Sequence, residues 1–270
     1  MRLSVSTLGC PDWSLGEVIE RVSACGLDGI DFRGVAEQID VTVMPEFTSG
    51  VAETRARIHD AGLAVSGLSS SANCLPKDEA TRQSYLEEMK RYCEVARQLD
   101  CRMVRVFGGS AAEGVGGDEA LKIAAQNLRA YGQIAADFGV KAGLETHDDW
   151  CASKRVAELM DATRHEAVGV LWDVWHPWRT TGELPVETFA NFGRRIIYTH
   201  FKDARRVGDG ETELFTFGQG DIPLADCVNV LRDGGYNGWL SFEHEKRWHR
   251  ELDEPAEAFA RYVEVMRGLI

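Results

Sequence analysis

Gly139-Val140-Lys141-Ala142-Gly143-Leu144-Glu145 is the stretch that decides the fold. Its first glycine can take the left-handed conformation that closes a helix, and the residues after it run into a short strand. The same joint recurs at Gly26-Leu27-Asp28-Gly29-Ile30-Asp31-Phe32, at Gly62-Leu63-Ala64-Val65-Ser66-Gly67-Leu68 and at Gly235-Tyr236-Asn237-Gly238-Trp239-Leu240-Ser241-Phe242-Glu243. A repeated helix-turn-strand joint is what an alternating array of strands and helices requires.

Around these joints the helices are legible. Ser14 and Glu17 form a capping box ahead of Val18, Ile19 and Val22. Tyr85, Met89, Tyr92, Ala96 and Leu99 fall on one helical face, as do Leu121, Ala125, Leu128, Tyr131 and Ala135. Pro223 reads as a first-turn proline before Leu224, Cys227, Val228 and Leu231. Phe259, Val263, Met266 and Ile270 give the face of a terminal helix. Eight strands are predicted: Leu3–Thr7, Gly29–Arg33, Ala64–Leu68, Met103–Phe107, Lys141–Glu145, Val168–Asp173, Ile196–Phe201 and Trp239–Glu243. Spread over 270 residues, eight units take about 34 residues each, the size of a strand, two loops and a helix. The expectation is a (β/α)8 barrel in one domain, residues 1–270. A doubly wound open sheet is the runner-up, but Thr7-Leu8-Gly9-Cys10-Pro11 stands where its GxGxxG fingerprint would follow the first strand.

Composition bounds the partners. Thirty basic against 43 acidic residues leave a net charge of −13, which repels phosphate backbones and anionic lipid. No run approaches the roughly 20 apolar residues of a membrane span. The first residues, Met1-Arg2-Leu3-Ser4-Val5-Ser6, are interrupted too early for a signal peptide. Seven cysteines, an odd number without a CxxC pair, read as reduced thiols in a cytoplasmic protein. The expected partner is a small molecule, with no nucleic acid and no membrane; a homo-oligomer is left open.

In such a barrel, chemistry sits at the C-terminal ends of the strands. Strand five ends Glu145-Thr146-His147, strand six Asp173-Val174-Trp175-His176, strand seven His200-Phe201-Lys202-Asp203 and strand eight Glu243-His244-Glu245. Taken singly, a Glu there is an ordinary loop charge, an Asp a helix cap and a His a hydrogen-bonded loop residue. Together, Glu145, Asp173, His200 and Glu243 would aim three carboxylates and an imidazole into one mouth. Three desolvated carboxylates repel unless protonated or neutralised by a cation. That donor set suits one divalent ion, with Mn²⁺ the first choice and Co²⁺, Mg²⁺ or Zn²⁺ as alternatives. Alternation brings Lys202 to the same side as His200, and Asp203 is placed to orient a neighbouring ligand or cap the next segment. Trp150, Trp175, Trp178, Phe107 and Phe217 offer apolar walls against which a sugar ring could lie, although packing under loops also accounts for most of them. His147, His244 and His249 read as loop or supporting residues. The stretches Ser69-Ser70-Ser71-Ala72-Asn73-Cys74 and Gly108-Gly109-Ser110 read as pocket loops without a phosphate-gripping set of Arg and Lys.

Asp173-Val174-Trp175-His176-Pro177, His200-Phe201-Lys202-Asp203, Glu145 after Gly-Leu, Gly218-Gln219-Gly220 and Phe242-Glu243 resemble the sugar isomerase/epimerase superfamily of xylose isomerase-like barrels. The resemblance covers essentially the whole chain and is strongest from 143 to 243. It implies an enzyme of carbohydrate metabolism: a metal-dependent epimerase or isomerase of a small keto-sugar or polyol. Similarity to ketose 3-epimerases implies that Glu145, Asp173, His200 and Glu243 bind the metal. It also implies that Glu145 and Glu243 serve as the acid/base pair through a metal-bound enediolate, and that His176 and Arg206 hold substrate oxygens. Lys202 and Trp175 join the expected substrate contacts. Arg205 is a close rival of Arg206.

Three other readings are weighed. A dehydratase or lyase of an inosose-like substrate would use the same base and metal and expel hydroxide. The superfamily's endonuclease branch needs histidines on earlier strands, whereas only His59 precedes His147 here. A non-catalytic sugar-binding barrel would keep the pocket and lose the reaction.

Overall fold

The computed structural model describes residues 1–208 and 210–270. Eight parallel strands close into a barrel: β1 (Arg2–Ser6), β2 (Gly29–Phe32), β3 (Ala64–Asn73), β4 (Met103–Phe107), β5 (Lys141–Glu145), β6 (Val168–Asp173), β7 (Ile196–Phe201) and, last, β10 (Trp239–Phe242). The labels β8 (Ala204–Arg206) and β9 (Thr212–Leu214) belong to a short antiparallel hairpin after β7. Helices fill the crossovers: α1 (Leu15–Ala24), α2 (Val51–Asp60), α3 (Glu79–Gln98), α4 (Gly117–Asp137), α5 (Ser153–Thr163), α6 (Trp175–Thr181), α7 (Pro185–Phe192), α8 (Leu224–Asp233) and α9 (Pro255–Leu269). The chain folds as the (β/α)8 barrel expected from its joints. Among the described residues, no helix is long and apolar enough to cross a membrane.

Local chemistry explains the elements. The Ser14 hydroxyl accepts from the Glu17 amide, and the Glu17 carboxylate accepts from the Ser14 amide, so both ends of the capping box are closed. Pro223 stands at the N-cap of α8, one place before the expected first turn. Gly26, Gly62, Gly139 and Gly235 all have positive φ, as the joints require. One expectation is corrected. Residues 69–73 are not a loop but the continuation of β3. The Ser70 hydroxyl donates to the Arg105 carbonyl at 2.6 Å, and Asn73 pairs with Phe107, so β4 holds this run in register past a bulge. All seven cysteines are free thiols and six are buried.

The core has two parts. The larger lies between strands and helices. The smaller plugs the barrel and consists of Met103, Leu171, Tyr198 and Trp239. The Tyr198 hydroxyl shares a hydrogen bond with Ser66 at 2.8 Å. Side chains two positions further along these strands point to the same side. Arg105, Asp173, His200 and Ser241 therefore form the layer above the plug, joined by Asp31 from β2 and Glu145 from β5.

Gly29 faces this plug, and a Cβ there would lie 2.7 Å from Trp239 Cη2 and 2.8 Å from the Ala64 carbonyl oxygen. Gly29→Ala is expected to cost about 1–3 kcal/mol through overpacking, read as a lower urea midpoint with an unchanged m-value. A wild-type midpoint would show slack in the plug.

Candidate metal centre and acid/base site

The upper layer gathers charge in a dry place. Asp31, Asp173 and His200 have no exposed surface, and Glu145, Arg105, Lys202 and Glu243 are buried with them. One donor atom from each of Glu145, Asp173, His200 and Glu243 lies within 4.8 Å of the others. His200 is the hinge of the arrangement. Its Nδ1–H donates to Glu145 Oε1 at 2.7 Å, with Glu243 Oε1 3.3 Å away, and its Nε2–H donates to Asp31 Oδ2 at 2.9 Å. Carboxylates on both sides of the ring keep both nitrogens protonated. Burial alone would lower this imidazole, but Glu243, Glu145 and the bond to Asp31 outweigh it and hold the group well above its ordinary value.

Two cations balance the acids. Arg105 Nη1 donates to Glu145 Oε2 at 2.6 Å. Burial opposes the charge on Glu145, yet Arg105 and His200 outweigh it and hold the carboxyl well below its usual range. Lys202 Nζ donates to Glu243 Oε2 at 2.6 Å, lies 3.0 Å from Asp173 Oδ2 and also touches Glu245. Asp173 is less well served. Its Oδ2 is buried without a well-directed hydrogen bond, and burial pushes its pKa up to about 6 despite Lys202.

These residues fit a divalent cation. Four buried carboxylates (Asp31, Glu145, Asp173 and Glu243) face two buried cations (Arg105 and Lys202), which leaves two negative charges when His200 is neutral. Asp173 Oδ2 is ion-paired with Lys202 at 3.0 Å but takes no well-directed hydrogen bond among the described residues, which leaves it open to a further ligand. Hard oxygens with one imidazole suit Mn²⁺, Mg²⁺, Co²⁺ or Zn²⁺. Asp31 would hold His200 by Nε2–H and leave Nδ1 to face the ion, the usual support of a metal-binding histidine.

The remaining expected residues fall in several places. His176 is buried 3.7 Å from Asp173 Oδ2, and neither ring nitrogen has a hydrogen-bond partner. Burial first, then Lys202 and His147, lower its pKa well below the ordinary value, so the ring is neutral. Trp175 lies 5.3 Å from Lys202 Nζ. Asp203 accepts from the amides of Ala204, Gly218 and Gly220, which caps the turn after the hairpin. Arg206 is exposed on β8 with its guanidinium 4.2 Å over the Trp178 ring, while Arg205 pairs with Glu213. Neither arginine lines the cavity above the acids. That cavity, about 260 Å³, is lined by Leu8, Arg33, Arg105, Phe107, Glu145, His147, Glu243, Glu245 and Trp248. Trp150 packs on Gly108 and donates to the Gly109 carbonyl, and Phe217 packs on Phe242 and Tyr262. His244 bonds the Asp253 carbonyl, and His249 is exposed beside Glu251.

Sequence reasoning passed over Asp31, Arg33, Arg105 and Trp248. Asp31 and Arg105 carried a signal. A charge inside an apolar strand, as in Gly29-Ile30-Asp31-Phe32 or Met103-Val104-Arg105-Val106-Phe107, is costly unless it faces a polar site.

The family model for the xylose isomerase-like TIM barrel matches residues 19–269. This chain belongs to that family. An inosose dehydratase of Clostridium botulinum is 29% identical over 145 residues, 48% of this chain and 48% of that protein. The match thus spans about half the length of that relative. Among solved structures, the IolI protein with a bound zinc atom superimposes with a TM-score of 0.82 at 19% identity, covering 100% of this chain and 99% of that one. D-Psicose 3-epimerase of Clostridium cellulolyticum, solved with D-tagatose, gives a TM-score of 0.80 at 16% identity, with coverage of 100% and 99%. Likeness at these identities is likeness of fold.

Asp31→Ala removes the acceptor that holds His200 Nε2–H. It is expected to weaken Mn²⁺ or Zn²⁺ binding about 10- to 100-fold, read by metal titration with circular dichroism as the folding control. Unchanged affinity in a folded variant would separate Asp31 from the centre.

Proposed function

We propose that the chain is a divalent-metal-dependent epimerase or isomerase of a small keto-sugar or polyol. It would move a proton next to a carbonyl by means of two carboxylates. One observation carries this reading. Glu145 ends β5 and Glu243 follows β10, three places apart in the eight-strand ring, yet both put an oxygen within 3.3 Å of His200 Nδ1. Coming from separated strands, they would approach a carbon held between them from different sides, which removal and return of a proton on opposite faces requires.

Glu145, Asp173, His200 and Glu243 would hold the ion, with Mn²⁺ preferred for the hard donors. A bound divalent cation supplies Lewis acidity: it polarises a carbonyl and offsets the charge that develops when the neighbouring proton leaves. The residues do the rest. Arg105 keeps Glu145 ionised and fit to act as base. Lys202 restrains Glu243 through its 2.6 Å bond. Neutral His176, with both nitrogens free, offers a donor to a substrate oxygen. The zinc in IolI and the ketose substrate of the psicose epimerase agree with such a site. The charge of −13 and the small cavity speak against duplex nucleic acid.

A dehydratase is the second reading, favoured by the inosose dehydratase match and by Lys202. An ammonium held between Asp173 and Glu243 could stabilise a departing hydroxyl. Product mass separates the two reactions.

A panel of ketoses and inososes incubated in D₂O with Mn²⁺ should give deuterium in one substrate without loss of mass. Glu145→Gln and Glu243→Gln should each lower that turnover by about 10²–10⁴ with the far-UV spectrum unchanged. No exchange into any compound, or full activity of either variant, would refute the assignment of the pair.

A further inference from the structure

Arg105 and Arg33 line the cavity, and the proton-transfer reading uses only part of one of them. Arg105 is 2% exposed and spends Nη1 on Glu145, while its Nε and Nη2 are buried without a partner. Nε and Nη2 form the side edge of the guanidinium, the pair of parallel donors that matches the two oxygens of a carboxylate. The plane is locked by the Phe107 ring, 3.7 Å from the guanidinium carbon. Arg33 stands two positions beyond Asp31 on the same side of β2. Among the described residues its side chain makes one hydrogen bond, a long one of 3.5 Å from Nη1 to the Ser69 carbonyl. Burial first, and then the like charge of Arg105, push Arg33 below the ordinary arginine range, against the pull of Glu88 and Glu243.

A neutral polyol leaves this arrangement costly. Buried donors without partners lose their hydration for nothing, and two neighbouring guanidiniums repel. A small anion removes both penalties at once. The edge in question belongs to the guanidinium whose Nη1 is 2.6 Å from Glu145, so the anion would sit close beside the carbon that Glu145 serves. The cavity of about 260 Å³ is smaller than the roughly 300–1,000 Å³ of pockets for drug-sized ligands.

We infer that the substrate carries a carboxylate, seated on the Nε–Nη2 edge of Arg105 with Arg33 alongside, which makes it a small sugar acid or hydroxy-keto acid. The inference rests on the proton-transfer reading for its placement next to Glu145. It goes beyond the reading that the pocket loops lack a phosphate-gripping set: these arginines come from within and just beyond strands, not from the loops.

Equilibrium binding of D-glycerate, glycerol and inorganic phosphate to the full chain, metal-free and Mn²⁺-loaded, tests it by calorimetry. Glycerate should bind at least about tenfold tighter than glycerol in both forms, and Arg33→Gln should remove about tenfold of that affinity. Arg33→Lys should keep part of it, which also guards against a folding defect. Equal binding of glycerate and glycerol, no effect of Arg33→Gln, or phosphate bound more tightly than glycerate would overturn the inference. Binding is read without turnover. Glycerate bound through Arg33 in a protein that exchanges no deuterium would leave the carboxylate site standing and refute only the reaction.

Discussion

Compensation of buried charge is the constraint on which the upper barrel depends. A carboxylate taken out of water without a partner costs several kcal/mol, and Asp31, Glu145, Asp173 and Glu243 are all taken out of water here. His200 carries much of the answer, since one ring reaches Asp31 on β2, Glu145 on β5 and Glu243 beyond β10. The imidazole thus ties three strands across the barrel. Arg105 and Lys202 complete the set, each holding one of the two glutamates by a 2.6 Å bond. The arrangement is stable in outline and still leaves Asp173 Oδ2 with an ion pair to Lys202 but no well-directed hydrogen bond, and both His176 nitrogens without a hydrogen bond among the described residues. Under the proposed reading, a cation and a substrate oxygen would enter there.

The apolar plug below sets the strength of these interactions. Met103, Leu171, Tyr198 and Trp239 close the barrel beneath the acids and keep water from reaching them from that side. In a low-dielectric surrounding, each ion pair is stronger and each unpaired group more costly. The same alternation that sends Tyr198 into the plug sends His200 into the charged layer and Lys202 to the carboxylates of Asp173, Glu243 and Glu245. One strand therefore supplies support, metal donor and counter-ion in steps of two residues.

The fold was legible because parallel barrel strands are buried on both faces and read as continuous apolar runs. Glycine joints then marked where each helix hands over to a strand. Glu145, Asp173, His200 and Glu243 could be singled out because they stand where apolar runs stop. Asp31 and Arg105 lie inside runs, where the eye looking for ends does not rest, although a buried charge within a strand needs a partner as much as one at its tip. The β8–β9 hairpin was not legible: Ala204-Arg205-Arg206 and Thr212-Glu213-Leu214 are too short and too charged to show a period. Trp248 reaches the cavity through the path of a loop, being 57% exposed, and no spacing rule records such a path. Arg206 illustrates the opposite limit. The resemblance to ketose 3-epimerases brought it forward, but the hairpin carries its guanidinium onto Trp178.

Lys202 decides how labour is divided in the site. Burial disfavours its charge, but Asp173, Glu243 and Glu245 outweigh burial and hold its pKa well above the ordinary lysine value. An ammonium so held does not give up its proton readily, so it acts as a fixed charge and a hydrogen-bond donor. In the proposed reaction, proton cycling would then fall to the glutamates, of which Glu145 is the more firmly ionised through Arg105. Glu243 shares its charge with Lys202 and His200 and stands against repulsion from Glu145. Two carboxylates of one residue type thus sit in unlike fields, the condition under which one serves as base and the other as acid. Under the proposed reaction, what this pair acts upon would be set one layer higher, by Arg33, Phe107 and Trp248, which line the cavity beside Glu145 and Glu243.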